Sequence, residues 1–274
     1  MRRSLFSLLR CPTGCEEELY AQVYSETDGK VDSATLICTT CEAHYPIEAG
    51  IARMLPQTLL KAEDEEASRK RREMAARDAQ VNSYDKMKGL ALFGKIEIPV
   101  TLSQMNLHAG DVLLEAGCGT GRMTPVFAKR CKTLFAADFS FASLKVCAEK
   151  LERQGINNVD LVQADVCALP FKTTLFSKTV SCQVLEHLPT PQARAQMISE
   201  IARVTQAGGR IVISAYQHSL FTRLFGEKEG EHEGGIYYYR FSRKELRHLL
   251  AEQVNVHRMT GALVYHYLAR CEKS

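Results

Sequence analysis

No apolar run in this 274-residue chain approaches the roughly 20 residues that a membrane-spanning helix needs, so no helical span is expected. A secretory leader is not expected either. Residues 1–10 place two arginines before a short apolar run, but Ser7 interrupts the run, Arg10 ends it and no small-residue cleavage site follows. Strong charge of either sign is missing. Thirty-five Lys and Arg against 32 Asp and Glu leave +3, far from the footprint of a dedicated nucleic-acid binder. There is no internal repeat and no low-complexity tract. What remains is an ordinary globular composition, 45% hydrophobic and 24% charged, in a chain long enough for one large domain and a small one. The expected setting is cytoplasmic, with no required protein partner evident.

The ten cysteines divide into two groups. Cys118, Cys131, Cys147, Cys167, Cys182 and Cys271 are scattered through apolar segments and read as small buried hydrophobes in a reducing compartment. Cys11, Cys15, Cys38 and Cys41 form two close pairs, C-x3-C and C-x2-C. Two such knuckles fold around one tetrahedral metal, and four thiolates select zinc over the alternatives of an iron–sulfur site or no metal. His44 is the other candidate ligand. The expected partition is a zinc-ribbon domain over 1–57, a helical linker over 58–80 and a larger domain over 81–274. Residues 63–66 are acidic and 69–72 basic, among good helix formers. The linker therefore reads as a solvated helix, with RNA contact as the other use of the basic cluster.

From residue 81 onward, strands and helices alternate. Short apolar strands are expected near 111–115, 133–138, 159–163, 177–183 and 210–214, with helices over 123–130, 140–154, 193–205 and 242–251. Two late strands near 255–259 and 262–271, joined by a tight link at Thr260-Gly261, can pair as an antiparallel hairpin. The fold class is α/β: a Rossmann-like, seven-stranded, mostly parallel sheet with an antiparallel last strand, plus the small N-terminal zinc ribbon.

A glycine loop, Glu115-Ala-Gly-Cys-Gly-Thr-Gly-Arg122, follows the first of these strands and leads into a helix. Glycines at 117, 119 and 121 let the backbone turn sharply and approach a ligand closely. The dinucleotide fingerprint would need glycine at 122, where Arg122 stands. An acidic residue, Glu115, precedes the loop, so a partly cationic ligand is expected rather than a pyrophosphate. Asp138 ends the next strand, where a carboxylate can accept hydrogen bonds from both hydroxyls of a ribose.

Over 82–272 the chain resembles the class I S-adenosylmethionine-dependent methyltransferases, in particular the broad group that includes the ubiquinone/menaquinone-biosynthesis type. Gly117-Cys118-Gly119-Thr120-Gly121 matches the cofactor loop, and Asp138-Phe139-Ser140 the ribose-binding strand end. Gln163-Ala-Asp165-Val166 matches the segment whose Asp binds the adenine amino group. Ser181-Cys-Gln183-Val-Leu-Glu-His187-Leu matches the fourth-strand motif beside the methyl group. The resemblance places Tyr84 as an aromatic over the cofactor. Packing of the inter-domain helix is the other reading of Tyr84, and helix capping the other reading of Asp138 and Asp165. Residues 8–57 resemble the small zinc-ribbon partner of RNA and protein methyltransferases, on Tyr45-Pro-Ile47, Gly50-Ile51 and Met54-Leu55. The resemblance implies that the ribbon stabilises the methyltransferase within one chain.

Methyl transfer from a sulfonium needs alignment and exclusion of water. A base is needed only if the acceptor keeps its proton. His187, His218 and Tyr216, near the C-terminal ends of strands, are the base candidates, and each has a plain structural reading as well. Gly234-Gly-Ile-Tyr237-Tyr238-Tyr239-Arg240 is a candidate substrate lid, either a stacking platform or ordinary packing. The expected partner is a small-molecule acceptor, with RNA as the alternative. The chain lacks both the Asn/Asp-Pro-Pro-Tyr/Phe signature and the Pro-Cys context of the usual base-methylating enzymes.

Overall fold

The computed structural model describes all residues except 16–17, 62–64, 85–87, 220–226, 233–234 and 263–264. For 82–84, 88–93 and 262 it describes the backbone alone. Among the described residues, no helix is long and apolar enough to cross a membrane.

The N-terminal block contributes β1 (Leu19–Thr27), β2 (Lys30–Cys38), β3 (His44–Glu48) and β4 (Ile51–Arg53), joined as antiparallel neighbours. Three helices follow: α1 (Gln57–Lys61), α2 (Glu65–Tyr84) and α3 (Lys88–Met105). The alternating part comprises β5 (Val112–Ala116), α4 (Thr124–Ala128), β6 (Thr133–Asp138), α5 (Phe141–Arg153), β7 (Val159–Gln163), β8 (Phe176–Cys182), α6 (Pro191–Val204) and β9 (Thr205–Tyr216). A small hairpin of β10 (Glu229–His232) and β11 (Ile236–Tyr239) precedes α7 (Arg243–Ala251), β12 (Asn255–Ala262) and β13 (His266–Glu272).

The expected seven strands run β7-β6-β5-β8-β9-β13-β12, parallel up to β9 and antiparallel from β13. Every residue of β6 is buried, as a strand covered by helices on both faces requires. Helix α5 buries Leu144, Cys147 and Leu151 on one face, and α6 buries Met197, Ile198 and Ile201. The Ser140 side chain caps α5 by accepting from the Ser143 N–H at 3.0 Å.

One local expectation is corrected. Thr260 and Gly261 are not the hairpin link. They lie inside β12, opposite Leu268 and Tyr267, and β12 continues to Ala262, which pairs with His266. Strand β13 pairs with β9 along its whole length, and an edge strand matching that length must run past the glycine.

The cysteine block is not a separate bead. β4 pairs in parallel with β7, Ala52 opposite Val162, so the sheet continues through β4, β3, β2 and β1 to eleven strands. Leu9, Tyr45, Ile47 and Met54 share one core with Phe135, Phe171 and Phe176, whose rings meet edge to face at 5.2–5.6 Å. Arg2 forms an ion pair with the nearly inaccessible Asp160 on β7, and the Arg10 N–H donates to Pro170 O at 3.1 Å.

Candidate functional site

The loop after β5 turns at Gly117, where φ is +87°. The backbone N–H groups of Gly117 and Cys118 donate to Ala137 O at 2.7 and 3.0 Å, which ties the loop to β6. The Gly119 N–H then donates to Asp138 Oδ2 at 2.8 Å, while Asp138 Oδ1 accepts from the Ser140 N–H at 2.9 Å. The carboxylate is thus aimed by two backbone donors. Burial pushes its pKa up, and these bonds oppose the shift. Gly121 lies outside the pocket. A Cβ there would stand 2.5 Å from Cys147 Sγ, so its role is close packing of the loop on α5.

The same pocket is lined by Glu115, Gly117, Cys118, Gly119, Asp138, Phe139, Asp165, Val166, Gln183 and His187. Ten of the residues singled out in the sequence therefore converge on one cleft at the C-terminal ends of the strands. Burial pushes the Glu115 carboxyl up to about 8, and its Oε2 has no hydrogen-bond partner among the described residues. Asp165 Oδ1 accepts from the Cys167 N–H at 2.8 Å. Tyr84 ends α2, and its side chain lies outside the described residues.

Helix α2 does more than connect. Lys70, Glu73, Arg77, Gln80 and Val81, recurring at three- and four-residue spacing, form one wall of the pocket. Lys70 Nζ donates to Asp165 Oδ2 at 2.8 Å, and Arg77 pairs with Glu73 at 3.4 Å. The basic run at 69–72 is drawn inward with it. Besides the Lys70 pair, Arg71 donates to Leu59 O and Ser68 Oγ, and the Arg69 guanidinium lies 5.8 Å from the Tyr237 ring. Arg72 alone of the four is exposed.

On the opposite wall, His187 sits in a 3-10 turn, Leu185–His187, after β8. Its Nδ1 lies 2.7 Å from Tyr237 O, and since a carbonyl only accepts, Nδ1 carries the proton. Burial holds the imidazole pKa well below its usual value, leaving Nε2 with a lone pair. Tyr216 stands edge-on to His187 at 5.8 Å and is joined by His232, Tyr238 and His266 in one ring cluster. His218 does not line the pocket; its N–H donates to Phe241 O at 2.7 Å. In the tyrosine run, Tyr237 and Tyr239 pack against Arg194, and Tyr238 faces the ring cluster.

Sequence reasoning passed over Glu97, Glu186, His232 and His266. Glu97 on α3 is buried, accepts from Gln183 Nε2 at 2.8 Å on both oxygens and pairs with Arg122 at 2.8 Å. Its signal was there, as a carboxylate between Ile96 and Ile98 in a mainly apolar helix.

A second cluster stands apart. The sulfurs of Cys11, Cys15, Cys38 and Cys41 lie within 4.8 Å of one another. Cys11 and Cys41 are 3.6 Å apart, close to the edge of about 3.8 Å that a tetrahedron of metal–sulfur bonds of about 2.3 Å has. Tyr45 Oη lies 3.2 Å from Cys11 Sγ, the position of an outer hydrogen bond to a ligand sulfur. His44 does not belong to the cluster.

Comparison with known proteins agrees with this geometry. Residues 114–213 match the family described as methyltransferase domain. A demethylmenaquinone methyltransferase of Thermobifida fusca is 28% identical over 143 residues, 52% of this chain and 59% of that protein. A tRNA (carboxymethyluridine(34)-5-O)-methyltransferase of Arabidopsis thaliana is 30% identical over 111 residues, 40% of this chain and 25% of that protein. The chain thus spans less than two thirds of these relatives' lengths. The crystal structure of a 1,6-didemethyltoxoflavin-N1-methyltransferase from Burkholderia thailandensis superposes with a TM-score of 0.61 at 18% identity, covering 94% of this chain and all of that one. Residues 114–213 are thus similar to a methyltransferase domain, and the chain shares its fold with a solved methyltransferase.

Proposed function

We propose that the chain is an S-adenosylmethionine-dependent methyltransferase that transfers a methyl group to a small-molecule acceptor by in-line displacement. The observation that carries this reading is the Gly119 N–H bound to Asp138 Oδ2 at 2.8 Å in a pocket where Glu115 Oε2 is buried without a partner among the described residues. The donor set suits the cofactor at each end. Asp138 keeps lone pairs for ribose hydroxyls, Phe139 and Val166 flank an adenine, and Asp165 accepts from its amino group. Glu115 and the glycine loop, including Cys118, meet the cationic amino-acid end. Gln183, fixed by Glu97, borders the methyl side.

The cofactor supplies an activated methyl group, so the protein supplies alignment and a dry cleft. In this reading His187 Nε2 is the first candidate to take a proton from the acceptor, Tyr216 supports its ring, and His218 is placed further away. Tyr84 keeps its proposed place over the cofactor.

The small-molecule reading is favoured over RNA by the inward turn of Lys70 and Arg71, which withdraws two of the four cations of the basic run from the surface. The quinone-directed relative points the same way. Zinc, held by Cys11, Cys15, Cys38 and Cys41, is proposed as a closed structural site that stiffens the sheet extension rather than taking part in chemistry.

The test is methyl transfer from methyl-labelled cofactor into fractionated cell extract, with and without nuclease. Label in a nuclease-resistant, low-molecular-weight fraction is expected. Label that moves with nuclease-sensitive material would replace the acceptor reading with RNA.

A further inference from the structure

Lys70 reaches the pocket from α2, and Asp165 from the segment after β7. Both line the cleft, and their side chains are 16% and 10% exposed. Lys70 Nζ donates to Asp165 Oδ2 at 2.8 Å, and the Cys167 N–H donates to Oδ1 at 2.8 Å. Fully exposed ion pairs contribute little, but a pair withdrawn from water is costly to break. Glu66, which is exposed and 3.7 Å from Lys70, is the weaker partner.

Helix α2 is held on the cleft by more than this pair. Met74 packs with Leu59, Ala67 and Phe139, the residue that follows Asp138. Asp78 accepts hydrogen bonds from Ser140 Oγ and from the Ala142 N–H, at the start of α5. The helix thus lies across the strand ends from Asp165 to Ser140. The cleft beneath it gathers carboxylates. Burial pushes the Glu73 carboxyl up, Arg77 opposes the shift, and the charges of Asp138 and Asp165 add to it. Lys70 stands outside residues 114–213, the span similar to a methyltransferase domain. A side chain of the N-terminal part therefore holds a carboxylate of the pocket.

We infer that Lys70 is a positioning residue for the purine: it fixes Asp165 as an acceptor-only group that admits the 6-amino group of adenine and rejects a 6-oxo group. This rests on reading the pocket as the S-adenosylmethionine site, with Asp165 at the adenine. The recognition is a matter of matching donors to lone pairs. A carboxylate held by an ammonium and a backbone N–H has no proton to donate, and each oxygen keeps a lone pair for one more donor. The 6-amino group of adenine is such a donor. The 6-oxo group of hypoxanthine is an acceptor that faces those lone pairs, and its ring N–H lies one position away. Two acceptors brought together out of water leave both unsatisfied. Without the ammonium, Asp165 is free to turn from the purine or to take up a proton, and a protonated carboxyl donates to a 6-oxo group.

The experiment is calorimetric titration of the full chain with S-adenosylhomocysteine and with S-inosylhomocysteine, its 6-oxo counterpart. The wild type is expected to bind the adenosyl form at least about a hundredfold more tightly. Lys70→Met keeps an unbranched apolar stem and removes the charge, and is expected to shrink that ratio about tenfold. Lys70→Arg keeps a cation there and is expected to hold the ratio within about threefold of the wild type. A Lys70 that only braces the fold would weaken both ligands alike. A ratio unchanged or raised in Lys70→Met therefore overturns the inference, as does a wild type that binds the two ligands equally. A ratio lost in Asp165→Asn but kept in Lys70→Met leaves Asp165 at the purine and removes Lys70. Failure of the wild type to bind S-adenosylhomocysteine removes the pocket reading as well. If Lys70→Met does not fold, Lys70→Gln takes its place under the same criteria.

Discussion

The Gly119 N–H and the Asp138 carboxylate, nineteen residues apart in sequence, are 2.8 Å apart at the floor of the pocket. The contact joins the ends of two adjacent parallel strands. It fixes the loop to the residue that would grip a ribose. A side chain at 119 meets nothing within 4 Å, so the glycine is kept there by its φ of +54° and by the space a ligand needs.

Gly117 carries a sharper constraint. A Cβ on it would stand 2.1 Å from Val184 Cγ2, and its φ of +87° is strained for any other residue. Gly117→Ala is expected to cost about 2–4 kcal/mol, part clash and part backbone strain. In denaturant unfolding, Gly117→Ala/Val184→Ala is expected to regain the clash part and not the backbone part. Additive costs in the double variant would show that the two residues do not meet.

The cysteine cluster makes a prediction about metal and stability together. Elemental analysis is expected to give one zinc per chain, and Cys38→Ser to lose it. In isolated zinc-finger peptides the metal contributes about 10–16 kcal/mol and apo forms unfold. Here β1–β4 share a core with the rest of the sheet, so the metal-free chain is expected to melt at a lower temperature yet still bind cofactor. Metal-free wild type with an unchanged melting temperature would show that the thiols hold nothing.

Helix α7 begins with a capping box. The Ser242 side chain accepts from the Glu245 N–H at 3.2 Å, and the Ser242 N–H donates back to Glu245 at 2.7 Å. Ser242→Ala is expected to cost about 1 kcal/mol in urea melts. Partial burial raises the Glu245 pKa, but the Lys228 and Ser242 hydrogen bonds outweigh it and bring the carboxyl down to about 2. A depressed folded pKa stabilises fully above the unfolded value near 4.5, and that stability is lost as pH falls through about 2. The stability gap between wild type and Glu245→Gln is therefore expected to close over that window. A gap unchanged with pH would remove the charge from the cap.

Much of this was legible in the residues. The parallel strands announce themselves as short apolar runs, and Ser140 and Ser242 mark helix starts through their side-chain oxygens. The glycine loop and Asp138 fall together because strand ends and loops follow one another along the chain. Two features were hidden for physical reasons. Pairing of β4 with β7 rests on two residues, Ala52 and Arg53, whose partners are over a hundred residues away and leave no local period. Helix α2 looked solvated because its inward residues are Lys70, Glu73 and Arg77. They are half-buried against charges of the pocket rather than against an apolar face, and hydrophobic patterning cannot register that. The site shows the same asymmetry, since Glu97 and Glu186 come from segments where a carboxylate is the exception among apolar neighbours.

The central claim is that Asp138, aimed by Gly119, holds the nucleoside of a sulfonium donor. Calorimetric titration of S-adenosylhomocysteine into wild type and Asp138→Ala tests it most directly. Loss of two hydroxyl hydrogen bonds to a charged acceptor is expected to weaken binding at least about a hundredfold, with the variant still folded. Equal affinity in the two proteins would contradict the assignment of this pocket.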